Sequence, residues 1–173
     1  MKKTFIILTF IFTTILSYSQ QPSDDTLHWS ATKKLAWTDF KGKTAGKTGV
    51  LGNAAMLVSA KFHKGIKAKT SVETIFDRKV SFISEKEKTA QMLKYYQVMF
   101  DIHELQTRKL RKELKETKLG LDPEKIFQEK YTVALKELDE RVDSYQEETE
   151  EGTNAAEIEK WSKTIQQELK GLK

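Results

Sequence analysis

The 173-residue chain has no cysteine and only three histidines. Without cysteine there are no disulfides, no thiolate nucleophile and no thiolate metal site. The histidines His28, His63 and His103 are far apart in sequence, and no two share a helix turn. A zinc site needs three or four N, S or O ligands in tetrahedral array, and catalytic sites usually take two from one helix. No apolar run is long enough to span a bilayer: Phe5–Leu16, interrupted only by threonines, has about 12 residues where roughly 20 are needed. Strong charge of one sign is missing too. With Lys2 and Lys3 set aside, 28 basic residues face 25 acidic ones, a net +3. That is too mild to imply nucleic acid, and Lys and Glu alternate as on solvated helix faces.

What the first residues do contain reads as a secretory signal peptide. Lys2 and Lys3 form a basic start, the apolar run follows, and Ser17-Tyr18-Ser19 supplies small residues for cleavage after Ser19. No cysteine follows the run, so lipid attachment at a cysteine is excluded. The expectation is an exported protein, periplasmic or secreted, with no membrane span in the mature chain. Residues 20–28 are expected as a flexible mature N-terminus, and 29–173 as one domain.

Composition then divides the chain. Residues 27–83 are rich in Thr, Val, Phe, Ile and Gly, and residues 84–173 in Glu, Lys and Leu. In the first part LAWTDFKG (35–42), read as extended, places Leu35, Trp37 and Asp39 on one side. AAMLVSAKF (54–62) and IKAKTSVETIF (66–76) read as strands joined through His63-Lys64-Gly65, and KVSFI (79–83) as a last strand. A small, mostly antiparallel sheet with one face needing cover follows. In the second part Ser84-Glu85-Lys86-Glu87 has the form of a capping box. Met92, Tyr96, Met99, His103, Thr107, Leu110 and Leu114 then make one helical stripe. Gly120 stops this helix and Asp122-Pro123 starts the next, whose stripe is Phe127, Tyr131, Ala134, Leu138, Val142 and Tyr145. Gly152 ends it, Asn154 caps a third, and Ile158, Trp161, Ile165, Leu169 and Leu172 form its apolar edge. Three long amphipathic helices packed with a small sheet give an α+β fold.

Two motifs invite chemistry. GKTAGKTG (42–49) approaches a phosphate-binding loop, but the pattern needs glycine where Lys41 stands. A flexible polar loop is the better reading. The pair His103-Glu104 runs on as H-E-L-Q-T rather than H-E-x-x-H. A half-buried helix histidine with one ring nitrogen bonded is favoured over ligation. Tyr95, Tyr96 and Met99 offer no chemistry of their own: a phenol is a poor base near neutral pH, and a thioether is a poor zinc ligand.

LAWTDFKG, AAMLVSAKF, FDRKVSFI, MLKYYQVMFDIHELQTRKLRKEL and ETEEGTNAAEIEKW, in that order, resemble a family of exported bacterial proteins. That family is catalogued as a domain of unknown function and regarded as predicted zinc-dependent proteases. Its helix motif looks like L-x-x-H-E-Q-x-H-F-D-I-x-E, and its C-terminal part like E-T-x-H-G-x-N followed by a tryptophan. The resemblance covers about residues 29–170 and rests on Gln97, Phe100, Asp101, Ile102, Glu104, Arg108 and Leu110, with Trp37, Asp39, Phe40 and Gly42 at the other end. Carried over position by position, it implies zinc for the family but places Tyr95 and Met99 at the two helix histidines. Tyr96 falls at the general-base glutamate, and Glu151 at a third ligand. The HExxH motif is degenerate, and neither zinc nor another cofactor is expected here. Asp101 reads either as a former orienter of a metal ligand or as an ordinary N–H-bonded or solvated acid.

The resemblance therefore implies a pseudoenzyme with a binding or structural role in the envelope, catalytic and metal residues none. Its vestigial positions are Tyr95, Tyr96, Met99, Asp101 and Glu151. One alternative is a hydrolase or metal-binding protein built on a shifted constellation around His103 and Glu104. Another is a helical protein-interaction module with an unknown protein or peptide partner.

Overall fold

The computed structural model of the chain describes residues 25–44, 49–63, 66–117 and 122–172. The proposed signal peptide, part of GKTAGKTG, the tip of the first hairpin and Gly120 lie outside them. Among the described residues five strands precede three α-helices: β1 (Thr26–His28), β2 (Val50–Leu51), β3 (Ala54–His63), β4 (Ile66–Asp77), β5 (Phe82–Ile83), α1 (Ala90–Glu116), α2 (Pro123–Glu148) and α3 (Ala155–Gly171). The antiparallel sheet has the order β1-β4-β3, and β2 pairs with β5 in a separate two-stranded ribbon. The fold is α+β, with the sheet in the first half and the helices in the second.

The two-residue alternation of β3 and β4 sets which face is covered. Met56, Val72, Thr74 and Phe76 are buried, whereas Leu57, Ser59, Lys61, Lys69 and Ser71 are exposed. The register pairs Met56 with Thr74, Val58 with Val72 and Lys61 with Lys69. One face thus lies on the helices and the other meets solvent, as an antiparallel sheet permits. A register shift between Lys61 and His63 marks a bulge near the hairpin end.

α1 is the central element. Its buried residues include Tyr95, Val98, Met99, Phe100, Ile102, Leu105, Leu110 and Leu114, a band wider than a single stripe. One core cluster joins Met56 and Val72 of the sheet to Tyr95, Met99 and Ile102 of α1, Phe127, Leu138 and Tyr145 of α2, and Ile158, Ile165 and Leu169 of α3. A second joins Leu27, Leu35, Phe40, Phe76, Ile83 and Phe100. Each fully buried side chain of this kind contributes about 1.5–3 kcal/mol, so a chain without disulfides has two apolar centres holding α1.

The starts of α2 and α3 are where the sequence places them: Asp122 accepts from Lys125 N, with Pro123 following, and Asn154 accepts from Glu157 N. Four elements differ from expectation. Thr26–His28, assigned to the flexible N-terminus, pairs with Ile75–Asp77 of β4. LAWTDFKG is not extended but makes a 3-10 turn at Trp37–Asp39, because Asp39 turns back to accept from Ala36 N at 2.9 Å. Gly42 sits so close to the carbonyls of Ser81, Lys79 and Val80 that a Cβ would lie 2.8–3.0 Å from them. Only Phe82–Ile83 of KVSFI is strand, since Asp77 Oδ1 accepts from Lys79 N and Val80 N and closes a turn. Finally, α1 is capped by Thr89, whose hydroxyl accepts from Met92 N. Ser84 caps nothing with its side chain; its hydroxyl accepts from Gly49 N at 3.4 Å instead.

Candidate functional site

Tyr95, Tyr96 and Met99 stand in the first turns of α1, and the α2–α3 turn brings Glu151 alongside. Tyr95 is only 4% exposed. Its ring stacks on Tyr145, 5.1 Å between centroids and 17° between planes, and meets Tyr96 edge-on at 5.1 Å. The Tyr145 hydroxyl donates to the Tyr95 carbonyl at 3.0 Å, and Trp161 of α3 meets Tyr145 edge-on at 5.4 Å. Tyr96 is half-buried, donates its hydroxyl to Val50 O at 3.3 Å and meets Phe40 edge-on at 5.7 Å. Offset and edge-on contacts of this kind each add about 0.5–1.5 kcal/mol beyond area burial. Met99 is buried in the same cluster.

The turn carrying Glu151 has an unusual backbone. Glu150, Glu151 and Gly152 all have left-handed φ values, 49°, 52° and 95°. Thr149 Oγ1 donates to Tyr145 O, and Gln91 Nε2 donates to the carbonyls of Gly152 and Thr153, both at 2.8 Å. A Cβ at Gly152 would lie 3.0 Å from the Tyr95 ring, so the turn closes over that ring only because the residue is glycine. Glu151 itself is exposed.

This environment keeps the phenols protonated. Burial pushes Tyr96 up to about 12, helped by Tyr95 and Glu151 and opposed by the Gly52 backbone N–H. Burial also raises Tyr95, opposed by a hydrogen bond with Gln146 and reinforced by Glu151. Tyr145 is raised chiefly by burial. Neutral phenols, a thioether and one exposed carboxylate do not make a zinc donor set. Among the described residues no three His, Asp or Glu side chains are placed to hold a metal ion. Tyr95, Tyr96, Met99 and Glu151 thus do not fit zinc.

Asp101 lies elsewhere and is fully engaged. It is 3% exposed and accepts from Trp29 Nε1 at 2.7 Å, Gln97 Nε2 at 2.9 Å and Gln166 Nε2 at 2.7 Å, with Lys34 Nζ at 3.8 Å. Gln97 also accepts from Leu35 N at 2.8 Å. Of the two sequence readings of Asp101, the N–H-bonded acid describes these contacts. Glu104, also buried, accepts from Arg108 Nε at 2.8 Å and from Arg111 Nη2 at 3.0 and 3.1 Å. Arg108 in turn donates to Leu169 O and lies over the Trp29 ring at 5.0 Å. These residues tie the N-terminal segment and α3 to α1.

His103 and Glu104 do not form a pair. The His103 Nδ1 lies 2.8 Å from Met99 O; a carbonyl only accepts, so this nitrogen carries the proton in the neutral ring. Burial lowers the His103 pKa against the opposing pull of the Met99 carbonyl and Asp139. His28 sits on the exposed sheet face against Glu73, Nδ1 to carboxylate 2.9 Å. Three histidines at one ion are not assembled by His28 and His103.

Sequence reasoning missed Trp29, Gln166 and Arg108 as one network. Trp29 carried a signal, because a buried indole N–H needs an acceptor, and so did Arg108, four residues after Glu104 on one helix. A groove of about 370 Å³ between α1 and α2, floored by Ile102 and Leu105 and edged by Gln106, Lys109, Glu137 and Arg141, lies apart from the tyrosines. No family model, curated protein or solved structure matches the chain.

Proposed function

We propose that the chain is an exported, non-catalytic relative of the predicted zinc-dependent proteases its motifs resemble, with a binding or structural role in the envelope. The observation that carries this reading is the aromatic cluster at the ligand positions. Tyr95 is buried against Tyr145 under Gly152, and Tyr96 is held protonated. Water activation needs a metal or a carboxylate base at that place, and the residues there supply neither. Replacing imidazoles by rings that pack on one another removes polar atoms that would otherwise be left without partners.

The test is zinc stoichiometry by elemental analysis of protein refolded with zinc, together with a general peptidase assay. The reading expects no bound zinc and no cleavage. One zinc per chain lost on Tyr95→Ala would overturn it. The shifted constellation is tested separately by His103→Ala, which should leave metal content unchanged and cost only a modest amount of stability.

A further inference from the structure

We infer that the open edge of β3 pairs with β3 of a second copy of this chain, joining two sheets into one around a two-fold axis at Leu57. Among the described residues β4 and α1 are the elements packed along β3, and no backbone hydrogen bond joins residues 54–62 to a segment other than β4. Parity sets the backbone on that edge. Trp29 N donates to Thr74 O and Arg78 N to Asp25 O, so the even-numbered residues of β4 turn towards β1, whereas Asp77 N donates to Asn53 O. Bonded and non-bonded pairs alternate along an antiparallel ladder, so the odd-numbered residues of β3 bond to β4. The N–H and C=O groups of Ala54, Met56, Val58 and Ala60 therefore point outward.

Sheet edges are ordinarily blunted by lysine, proline, a bulge or a short strand. The opposite edge, β1, is three residues long. On β3 such devices sit only at the hairpin end, as Lys61 and the register shift between Lys61 and His63. The stretch AAMLVSA (54–60) carries no charge, proline or glycine, the composition of a strand that adds to another. Cover is missing on the same side. Val58 and Ala60 face the core yet are only partly buried, whereas Val72, directly opposite Val58, is 4% exposed. Leu57 on the outer face is 50% exposed.

The edge is complementary to itself. With the axis at Leu57, Met56 bonds to the partner's Val58 and Ala54 to the partner's Ala60, so each bonded pair is apolar on the core side. On the outer face Leu57 lies against the partner's Leu57 as a close non-bonded pair. Ala55 then meets the partner's Ser59, and Lys61 meets the partner's Asn53, so no charge opposes a like charge. An axis at Val58 would put Leu57 opposite serine, and one at Ser59 would put it opposite lysine. The joined sheet ends on β1 at both sides, and those three-residue edges close the assembly at two chains.

The test is sedimentation velocity on the chain from Gln20 onward, which contains every described residue, from about 1 μM to about 1 mM. A monomer–dimer equilibrium is expected. Leu57→Lys opposes two ammonium groups on the axis and should raise the dissociation constant about tenfold or more. Val58→Pro removes an outward N–H and leaves the β4 ladder intact, so it should abolish the dimer. Circular dichroism confirms the fold of each variant, and Leu57→Lys, at an exposed position, stands alone if the proline variant does not fold. Because the chain lacks cysteine, Leu57→Cys reads the register. The two Cα atoms at the axis stand about 4.5 Å apart, within disulfide reach, and mild oxidation should give a covalent dimer. Ser59→Cys, two residues off the axis, should not. A monomer throughout, assemblies larger than two, a dimer indifferent to Leu57→Lys, or crosslinking at position 59 rather than 57 would overturn the inference.

Discussion

Two stretches of α1 solve the same burial problem in opposite ways. At Tyr95–Met99 the volume is filled by rings, with hydroxyls spent on backbone carbonyls and neighbours. From Asp101 to Arg108, charge is kept inside and every carboxylate oxygen of Asp101 and Glu104 meets a donor. Gln97, Asp101, Glu104 and Arg108 all find polar partners within the chain. Buried charge is tolerated where its hydrogen bonds are complete and is costly where they are not.

The comparison breaks most sharply at Asp101. Asp101→Ala leaves Trp29 Nε1, Gln97 and Gln166 without an acceptor and should cost about 3–5 kcal/mol, read as a lower midpoint in chemical denaturation. A cost under about 1 kcal/mol would mean that the network is decorative. On the aromatic side, Gly152→Ala forces a left-handed residue against the Tyr95 ring and should cost about 2 kcal/mol, with altered near-UV dichroism from the stacked tyrosines.

A pH-confined effect separates the two regions. Phenols with raised folded pKa values keep their full contribution below the unfolded value near 10 and lose it as pH rises towards the folded value, about 12 for Tyr96. An absorbance titration should show phenolate appearing late and together with loss of stability, and Tyr96→Phe should flatten that loss. Early ionisation with the fold intact would refute the packing described. The smallest effect has the opposite sign. Glu151→Gly relieves a left-handed glutamate at an exposed position and should stabilise by about 0.5 kcal/mol after the added freedom of the unfolded chain. A loss instead would give the Glu151 carboxylate a role of its own.

Local signals were legible where local chemistry decides. Asp122-Pro123 and Asn154 start helices because their side chains reach the first free N–H groups. The β3–β4 hairpin follows from alternation. Legibility fails where distant residues decide. The capping-box pattern at Ser84 is overridden because the hydroxyl is drawn to Gly49, and Thr89 takes the helix start. LAWTDFKG alternates like a strand, yet Asp39 folds it back. The single stripe on α1 undercounts its buried residues because the sheet covers one side and α2 and α3 the other. A pattern of period 3.6 reports one covered face. For the candidate site, the poor ligating chemistry of Tyr95, Tyr96 and Met99 is visible in sequence, but the stacking partner Tyr145 and the clasp of Trp29 on Asp101 join residues far apart in the chain.

That clasp works as a reversible crosslink. Trp29 and Asp101 are 72 positions apart, a separation at which a covalent bridge would tie down much of the unfolded ensemble. Here the tie needs neither an oxidant nor an isomerase. The molecule should therefore mature identically under reducing and oxidising conditions, and the knot closes only when Gln166 and the Leu169 carbonyl of α3 have docked on Asp101 and Arg108.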